Sequence, residues 1–300
     1  MSEYHIPALL NESISGLDIK PNGVYVDVTY GGGGHSKEIL RQLKGGKLIA
    51  FDQDAEALKN KIDDKRLLLI HSNYRYIKNF LKYYGFEKVD GIIADLGISF
   101  HQVDELSRGF SFKSDSEIDM RMNKNSQITA AQLINELDEN KLVKIFREYG
   151  ELKNAWNITQ AIIEYRKSEK IQNINQLVKL LEKLAPRNAE NKFYAKIFQA
   201  LRIEVNNEME CLQEFLMSSQ YVLNDGGRLV VISYHSLEDR LVKNFIRSGN
   251  FEGEIEKDIY GNFKTPFNQV NKKIIVPTDS EMELNPRSRS AKLRIAERNK

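Results

Sequence analysis

The stretch Val24-Tyr-Val-Asp-Val-Thr-Tyr-Gly-Gly-Gly-Gly-His-Ser36 decides the fold. Its first half is β-branched and aromatic and reads as a strand. Four glycines follow, and His35 to Leu43 then carries helical spacing. Glycine lets a backbone approach a ligand closely, and a helix start adds N–H groups that no carbonyl of the helix satisfies. A tight turn needs one glycine, so four in a row point to a bound ligand.

The flanking sequence repeats this plan. Lys47-Leu-Ile-Ala-Phe51, Leu67-Leu-Leu-Ile-His71 and Val89-Asp-Gly-Ile-Ile-Ala-Asp95 read as strands, with helices expected over Ala55–Ile62 and Tyr76–Tyr84. Apolar, barely alternating strands separated by helices imply a mostly parallel sheet buried on both faces. From about Gln127 to Leu223 the pattern is helical. Thr129 with Gln132 and Asn173 with Gln176 form capping-box pairs. Leu142, Ile145, Phe146 and Tyr149, and later Leu177, Leu180, Leu181 and Leu184, fall on helical faces. The sheet resumes at Gly227-Arg-Leu-Val-Val-Ile-Ser233, followed by a helix over Leu237–Ile246. Lys272-Lys-Ile-Ile-Val276 and Ala291-Lys-Leu-Arg-Ile-Ala296 are candidate closing strands. The expected domains are 1–107 and 209–300 for the sheet, with 108–208 as an inserted all-helical subdomain for substrate recognition.

Composition narrows the class. The 300 residues are 41% hydrophobic and 29% charged, enough for a buried core and a soluble surface. No run approaches the roughly 20 apolar residues of a membrane helix. Met1-Ser2-Glu3-Tyr4-His5 is neither basic nor apolar, so no signal peptide is expected and a cytoplasmic location is. Cys211 is the single cysteine, which excludes an internal disulfide and a cysteine-based zinc site. A net charge of +2 requires any nucleic-acid contact to be a local patch.

Asp52, closing the second strand, can accept from both hydroxyls of a ribose. The dinucleotide fingerprint fails, because its third glycine falls on Ser36 or Lys37, and a P-loop Gly-Lys-Ser/Thr is absent. With Asp27 just ahead of the glycines, the expected ligand is S-adenosyl-L-methionine and the expected fold a class I (Rossmann-like) methyltransferase sheet. Asp95-Leu-Gly-Ile-Ser99 occupies the carboxyl end of the fourth strand, where amino-group methyltransferases often carry an acidic or polar residue before Pro-Pro; Asp95 is present and the prolines are not. Methylation at cytosine C5 needs a cysteine nucleophile, and Cys211 lies in ordinary helical sequence.

Asp95 is therefore the expected acceptor for a reacting amine, with His235 as second acceptor or proton relay; a plain helix cap is the competing reading of His235. His35 is expected to offer only its backbone N–H. Phe110, Phe112 and Tyr234 fit either stacking on a flipped base or the core. Asp115, Glu117 and Asp119 read as a solvated acidic loop, and the reaction needs no metal. Arg187, Lys192, Lys196 and Arg202, and Arg287, Arg289, Lys292, Arg294 and Arg298, are candidate phosphate contacts.

Taken together, the ordered blocks resemble the ribosomal RNA small-subunit methyltransferase H (MraW) family over almost the whole chain. They are His5 with Pro7-Ala-Leu-Leu10, Asp27 to Ser36, Asp95 to Ser99, Arg108-Gly-Phe-Ser-Phe112, Asp119-Met-Arg-Met122 and Tyr149-Gly-Glu151. Ile197 to Asn206, Ile232 to Arg240 and Asn285 to Arg294 complete them. The resemblance implies N4-methylation of a cytidine in the decoding region of 16S rRNA, on the assembled small ribosomal subunit, with no membrane partner and with a homodimer left open. It implies cofactor contacts at Gly33, Gly34, His35, Asp52, Tyr74, Asp95 and Gln102. Four positions depart from the family pattern: Tyr74 for Phe, Phe100 for Ser, Gly32 for a charged or polar residue, and Ser116-Glu-Ile118 for Gly-Pro-Leu. Two other classes compete with this reading. One is an RNA-binding or assembly factor that keeps the fold without turnover; the other, disfavoured by the broken fingerprint, is a nicotinamide-dependent oxidoreductase.

Overall fold

The computed structural model describes residues 7–255, 257, 259–261 and 264–300, with the backbone but not the side chain of Phe100. His5 and the rest of the first six residues lie outside the described residues. The chain divides into two compact units, Met1–Gly97 with Met209–Lys300, and Ile98–Glu208.

The first unit opens with α1 (Leu10–Leu17), β1 (Val24–Asp27), α2 (Gly34–Gln42), β2 (Lys47–Asp52), β3 (Leu67–His71), α3 (Ile77–Tyr83) and β4 (Val89–Asp95). The second unit holds α4 (Phe100–Asp104), α5 (Ala130–Glu136), α6 (Glu139–Glu148), α7 (Ala155–Arg166), α8 (Ile174–Leu181) and α9 (Glu190–Asn206). The chain returns through α10 (Glu208–Val222) to β5 (Leu223–Ser233), α11 (Ser236–Ser248), β6 (Phe267–Gln269), α12 (Asp279–Leu284) and β7 (Lys292–Arg298).

The strands form one sheet in the order β3-β2-β1-β4-β5-β7-β6. Pairings from β3 through to β5 are parallel, and β7 runs antiparallel to both β5 and β6. Alternation along each strand sends side chains to two buried faces. Val26, Ile49, Phe51, Ile92, Leu229 and Val231 join Phe215 of α10 and Phe245 of α11 on one face. Tyr25, Leu48, Ala50, Ile93, Val230 and Ile232 join Leu17 of α1 and Ile39 of α2 on the other. Each such fully buried large side chain contributes about 1.5–3 kcal/mol of transfer free energy, which is why the strands carry little polar alternation.

Three local readings of the sequence give way to side-chain hydrogen bonds. The strand expected to reach Tyr30 ends at Asp27, whose Oδ1 accepts from the Thr29 N–H at 3.1 Å, while the Val28 and Tyr30 N–H groups still donate to the Ile93 and Phe51 carbonyls. The helix expected over Ala55–Ile62 is one 3₁₀ turn, Ala57–Asn60. Its end is fixed by the Tyr30 hydroxyl, which donates to the Asn60 carbonyl and accepts from the Ile62 N–H. Lys272–Val276 makes only an isolated bridge, Ile275 to Leu293. There the Asn271 side chain takes the place of backbone, accepting from the Ile295 N–H at 2.7 Å and donating to the Leu293 carbonyl. The strand that pairs with β7 on the side away from β5 is β6, which the sequence reading missed.

The second unit has its own core, with Leu142, Ile145 and Phe146 of α6, Leu177 and Leu181 of α8, and Ile197 and Leu201 of α9 among its buried residues. Both expected capping boxes form, Thr129 with Gln132 and Asn173 with Gln176. Ser99 and Gln102 make another at the start of α4.

Candidate active site

The parallel strands bring their carboxyl ends level, so β1, β2, β4 and β5 finish on Asp27, Asp52, Asp95 and Ser233. Ligands of open parallel sheets bind at this edge. Asp27 is sequestered beneath it. Only 2% of it is exposed, and its Oδ2 accepts from the Ser36 hydroxyl at 2.7 Å. Burial pushes its carboxyl above the usual range, with those hydrogen bonds opposing. Asp27 thus ties the end of β1 to the first turn of α2 and frames the glycine turn.

That turn is built for backbone. Gly33 is the N-cap of α2 at φ 76°, and a Cβ there would stand 2.8 Å from the Tyr30 hydroxyl. A Cβ on Gly34 would stand 2.2 Å from Pro7 Cγ. Gly32 has no positive φ and open space around it, so its departure from the family pattern costs the turn nothing. Among the described residues, no side chain caps α2. Its first N–H groups, at Gly34 and His35, are therefore available to an anion.

Asp52 stands beside this turn. Its Oδ2 accepts from the Gly31 N–H and its Oδ1 from the Asp54 N–H, both at 2.8 Å. Burial raises its carboxyl to about 6, against the pull of those two bonds. The group is ionised at neutral pH, and each oxygen keeps a lone pair for a hydroxyl donor. Tyr74 lies in a 3₁₀ turn after β3, its ring edge-on to Phe215 with centroids 5.4 Å apart.

Asp95 is the centre of the site. Its N–H donates to Thr29 Oγ1 at 2.7 Å, and its Oδ1 accepts from the Tyr234 hydroxyl at 2.9 Å. His35 Nδ1 lies 3.8 Å from Oδ2. The side chain of Asp95 keeps 24% of its surface open, enough for a substrate atom to reach it. Desolvation raises its carboxyl to about 7, the Tyr234 bond lowers it, and the charges of Asp27 and Glu238 raise it further. His35 is buried, and desolvation drives it down to about 4 against a hydrogen bond with the Ala8 backbone. The ring is neutral at pH 7, so the approach of His35 to Asp95 is not an ion pair. Among the described residues, its Nε2 is buried with no hydrogen-bond partner.

His235 is the N-cap of α11. Its Nδ1 accepts from the Glu238 N–H at 3.4 Å, and Glu238 Oε2 accepts from the Tyr234 and His235 N–H groups. His235 Nε2 is 3.1 Å from Glu238 Oε1, close but without a well-directed hydrogen bond. The structure therefore joins Asp27, Asp52, His35 and Asp95 through the glycine turn, and it adds Tyr234, whose hydroxyl the sequence reading had not used. Gln102 lies in the helical unit, where its Oε1 accepts from the Ser99 N–H of the capping box.

The remaining candidates fall mostly to packing. Phe110 is in the helical core, and Phe112 packs on Tyr194 and Phe198. Asp119 pairs with Arg121. Of the basic clusters, Arg202 is buried against Glu208, Arg294 pairs with Asp239, and Arg298 donates to the Gln220 and Pro266 carbonyls. Arg187, Lys192, Arg287 and Arg289 remain exposed.

A sheet ordered 3-2-1-4-5-7-6 with a reversed seventh strand, a glycine turn after β1 and acids closing β2 and β4 together define a class I methyltransferase. The chain belongs to the MraW methylase family, whose model matches residues 2–299. Relatives named ribosomal RNA small subunit methyltransferase H align along their whole lengths. The one from Christiangramia forsetii is 54% identical over 99% of this chain and 98% of its own. That from Bacteroides thetaiotaomicron is 53% identical over 98% and 97%. That from Flavobacterium psychrophilum is 56% identical over 97% and 100%. S-adenosylmethionine is the cofactor of this class. The uncapped start of α2 suits its carboxylate, and the ionised Asp52 beside the turn suits its ribose. Among the described residues, no helix is long and apolar enough to cross a membrane.

Proposed function

We propose that the chain methylates N4 of a cytidine in the decoding region of 16S rRNA, working in the cytoplasm on the assembled small subunit. The names of the relatives support the RNA class. The observation that carries the chemistry is Asp95, a carboxylate at the carboxyl end of β4 with one oxygen bound by Tyr234 and part of its surface open. Bound S-adenosylmethionine supplies an electrophilic methyl group on a sulfonium. Gly33 would shape the turn against the cofactor, its own N–H being held by the Tyr30 carbonyl, while Gly34 and His35 would hold the cofactor carboxylate through backbone N–H groups, Asp52 the ribose and Tyr74 the adenine, with Asp95 and Gln102 as the further proposed contacts.

The N4 lone pair is delocalised into the cytosine ring, so the protein must orient the amine and accept its protons. Orientation of this kind contributes about 7–11 kcal/mol. Asp95 accepts from the amine, and His235 is the second acceptor or relay. Nδ1 of His235 is committed to α11, so its Nε2 and the neighbouring Glu238 carboxylate are the atoms that would carry a proton onward. The exposed Arg187, Lys192, Arg287 and Arg289 are candidate phosphate contacts.

The test is to incubate the protein with unmodified small subunits and labelled methyl donor, then map the product by mass. One methyl on a cytidine amine of 16S rRNA is expected; label on another base, or none, overturns the reading. Asp95→Asn should lose about 10²–10⁴-fold in turnover with cofactor affinity retained. Full turnover in that variant would remove Asp95 from the chemistry.

A further inference from the structure

We propose that Tyr234 is a positioning residue for methyl transfer: its hydroxyl, 2.9 Å from Asp95 Oδ1, fixes the carboxylate so that Oδ2 is left to accept from the substrate amine. The inference rests on the role given above to Asp95.

The tyrosine is anchored independently of that bond. Its backbone N–H donates to Glu238 Oε2 at 2.9 Å, at the start of α11. Its ring lies over Gly97, where an added Cβ would meet Tyr234 Cδ2 at 3.4 Å. Gly97 has a φ of 96°, a conformation that leaves this floor to glycine. With the backbone and ring both held, the hydroxyl is aimed at one carboxylate oxygen. A phenylalanine would fill the same space and satisfy the same helix start, so packing does not account for the hydroxyl.

The surroundings explain what the hydroxyl does. Asp27 and Glu238 face Asp95 as like charges, and His35, neutral from burial, brings no cation. The Thr29 hydroxyl accepts from the Asp95 N–H and hydrogen-bonds to the Asp27 carboxyl. Among the described residues, Tyr234 is the donor on the Asp95 carboxylate, offsetting burial and repulsion that would otherwise keep a proton there. It therefore acts twice, selecting the free oxygen and sustaining the ionised form at neutral pH. The phenol keeps its own proton, since burial and the adjacent carboxylate raise it well above its ordinary value.

The experiment compares Tyr234→Phe with the parent in kcat/KM against pH and in an infrared titration of the Asp95 carboxyl in cofactor-free protein. In Tyr234→Phe the acid limb and the carboxyl titration should both move up by about one unit, a roughly tenfold loss below the limb that is recovered at high pH. Incorporating 3-fluorotyrosine at 234, a more acidic phenol and a stronger donor, should move both downward. Unchanged midpoints in the two variants, or a loss of rate that is equal at every pH, overturn the proposal. If no RNA accepts a methyl group from the parent protein, the functional reading fails, and the infrared titration still decides what Tyr234 does to Asp95.

Discussion

The two strand-to-helix junctions of the site place a histidine at nearly the same position and treat it in opposite ways. After β1, α2 starts on glycine and, among the described residues, has no side-chain cap, and His35 turns inward with a ring nitrogen that finds no partner among them. After β5, α11 starts on His235, which closes the helix end against Glu238 in a capping box. A capped end spends its N–H groups on the protein, whereas an uncapped one keeps them for a ligand. The difference supports placing the cofactor at the first junction and the chemistry at the second, as proposed above. In the proposed site the first would give backbone to the cofactor's carboxylate, and the second would supply Tyr234 as the brace of Asp95.

The comparison can be broken most sharply at Gly34. In Gly34→Ala the new Cβ meets Pro7, and overpacking of this kind costs about 1–3 kcal/mol. Cofactor affinity, measured by calorimetry, should fall by more than about tenfold, on the order of 1.4 kcal/mol. Undiminished affinity would mean the uncapped turn is not the anion site. Glu238→Ala should open the second junction and cost about 0.5–2 kcal/mol in urea melts, while cofactor affinity changes far less. A loss as large as that of Gly34→Ala would erase the distinction between the junctions.

A third effect concerns pH. Asp95 titrates in the fold at about 7, above its ordinary 3.8, so the protonated form is favoured by folding. Its contribution is fully present below the unfolded value and is lost as pH rises through about 7. Asp95→Asn should therefore raise the melting temperature more at pH 8 than at pH 4.5, by about 2–4 °C per kcal/mol removed. His35 runs the other way: held at about 4 against 6.5, it contributes stability above 6.5 that is lost as pH falls through about 4. An equal shift at both pH values would show that Asp95 is not strained toward protonation. The smallest effect is Gly32→Ala, which meets open space at an unstrained backbone and should change stability by less than about 0.5 kcal/mol.

Much of the frame was legible because periodicity and burial agree. β3 and β4 span the residues their apolar runs indicate, and α8 starts at its capping box. The misreadings share a cause. The Tyr30 hydroxyl fixes the end of the 3₁₀ turn and the Asn271 side chain takes the place of backbone on β7, and neither bond has a signature in local pattern. β6 is three residues long, below the reach of any alternation rule. Within the site, Asp52 and Asp95 stood out as acids closing strands. The inward face of His35 and the hydroxyl of Tyr234 did not, because both depend on a contact with a residue distant in sequence, Asp95.

The short β6 has a bearing on how the protein survives in a crowded solution. A sheet ends in a row of unpaired N–H and C=O groups, which a second chain can extend by edge-to-edge addition. Here that margin is three residues long, follows Pro266, and gives way to the Asn271 side chain lying on the next strand. So short an edge offers little for an incoming strand to register against. The segment that the sequence reading missed is thus the one that protects this end of the sheet from aggregation.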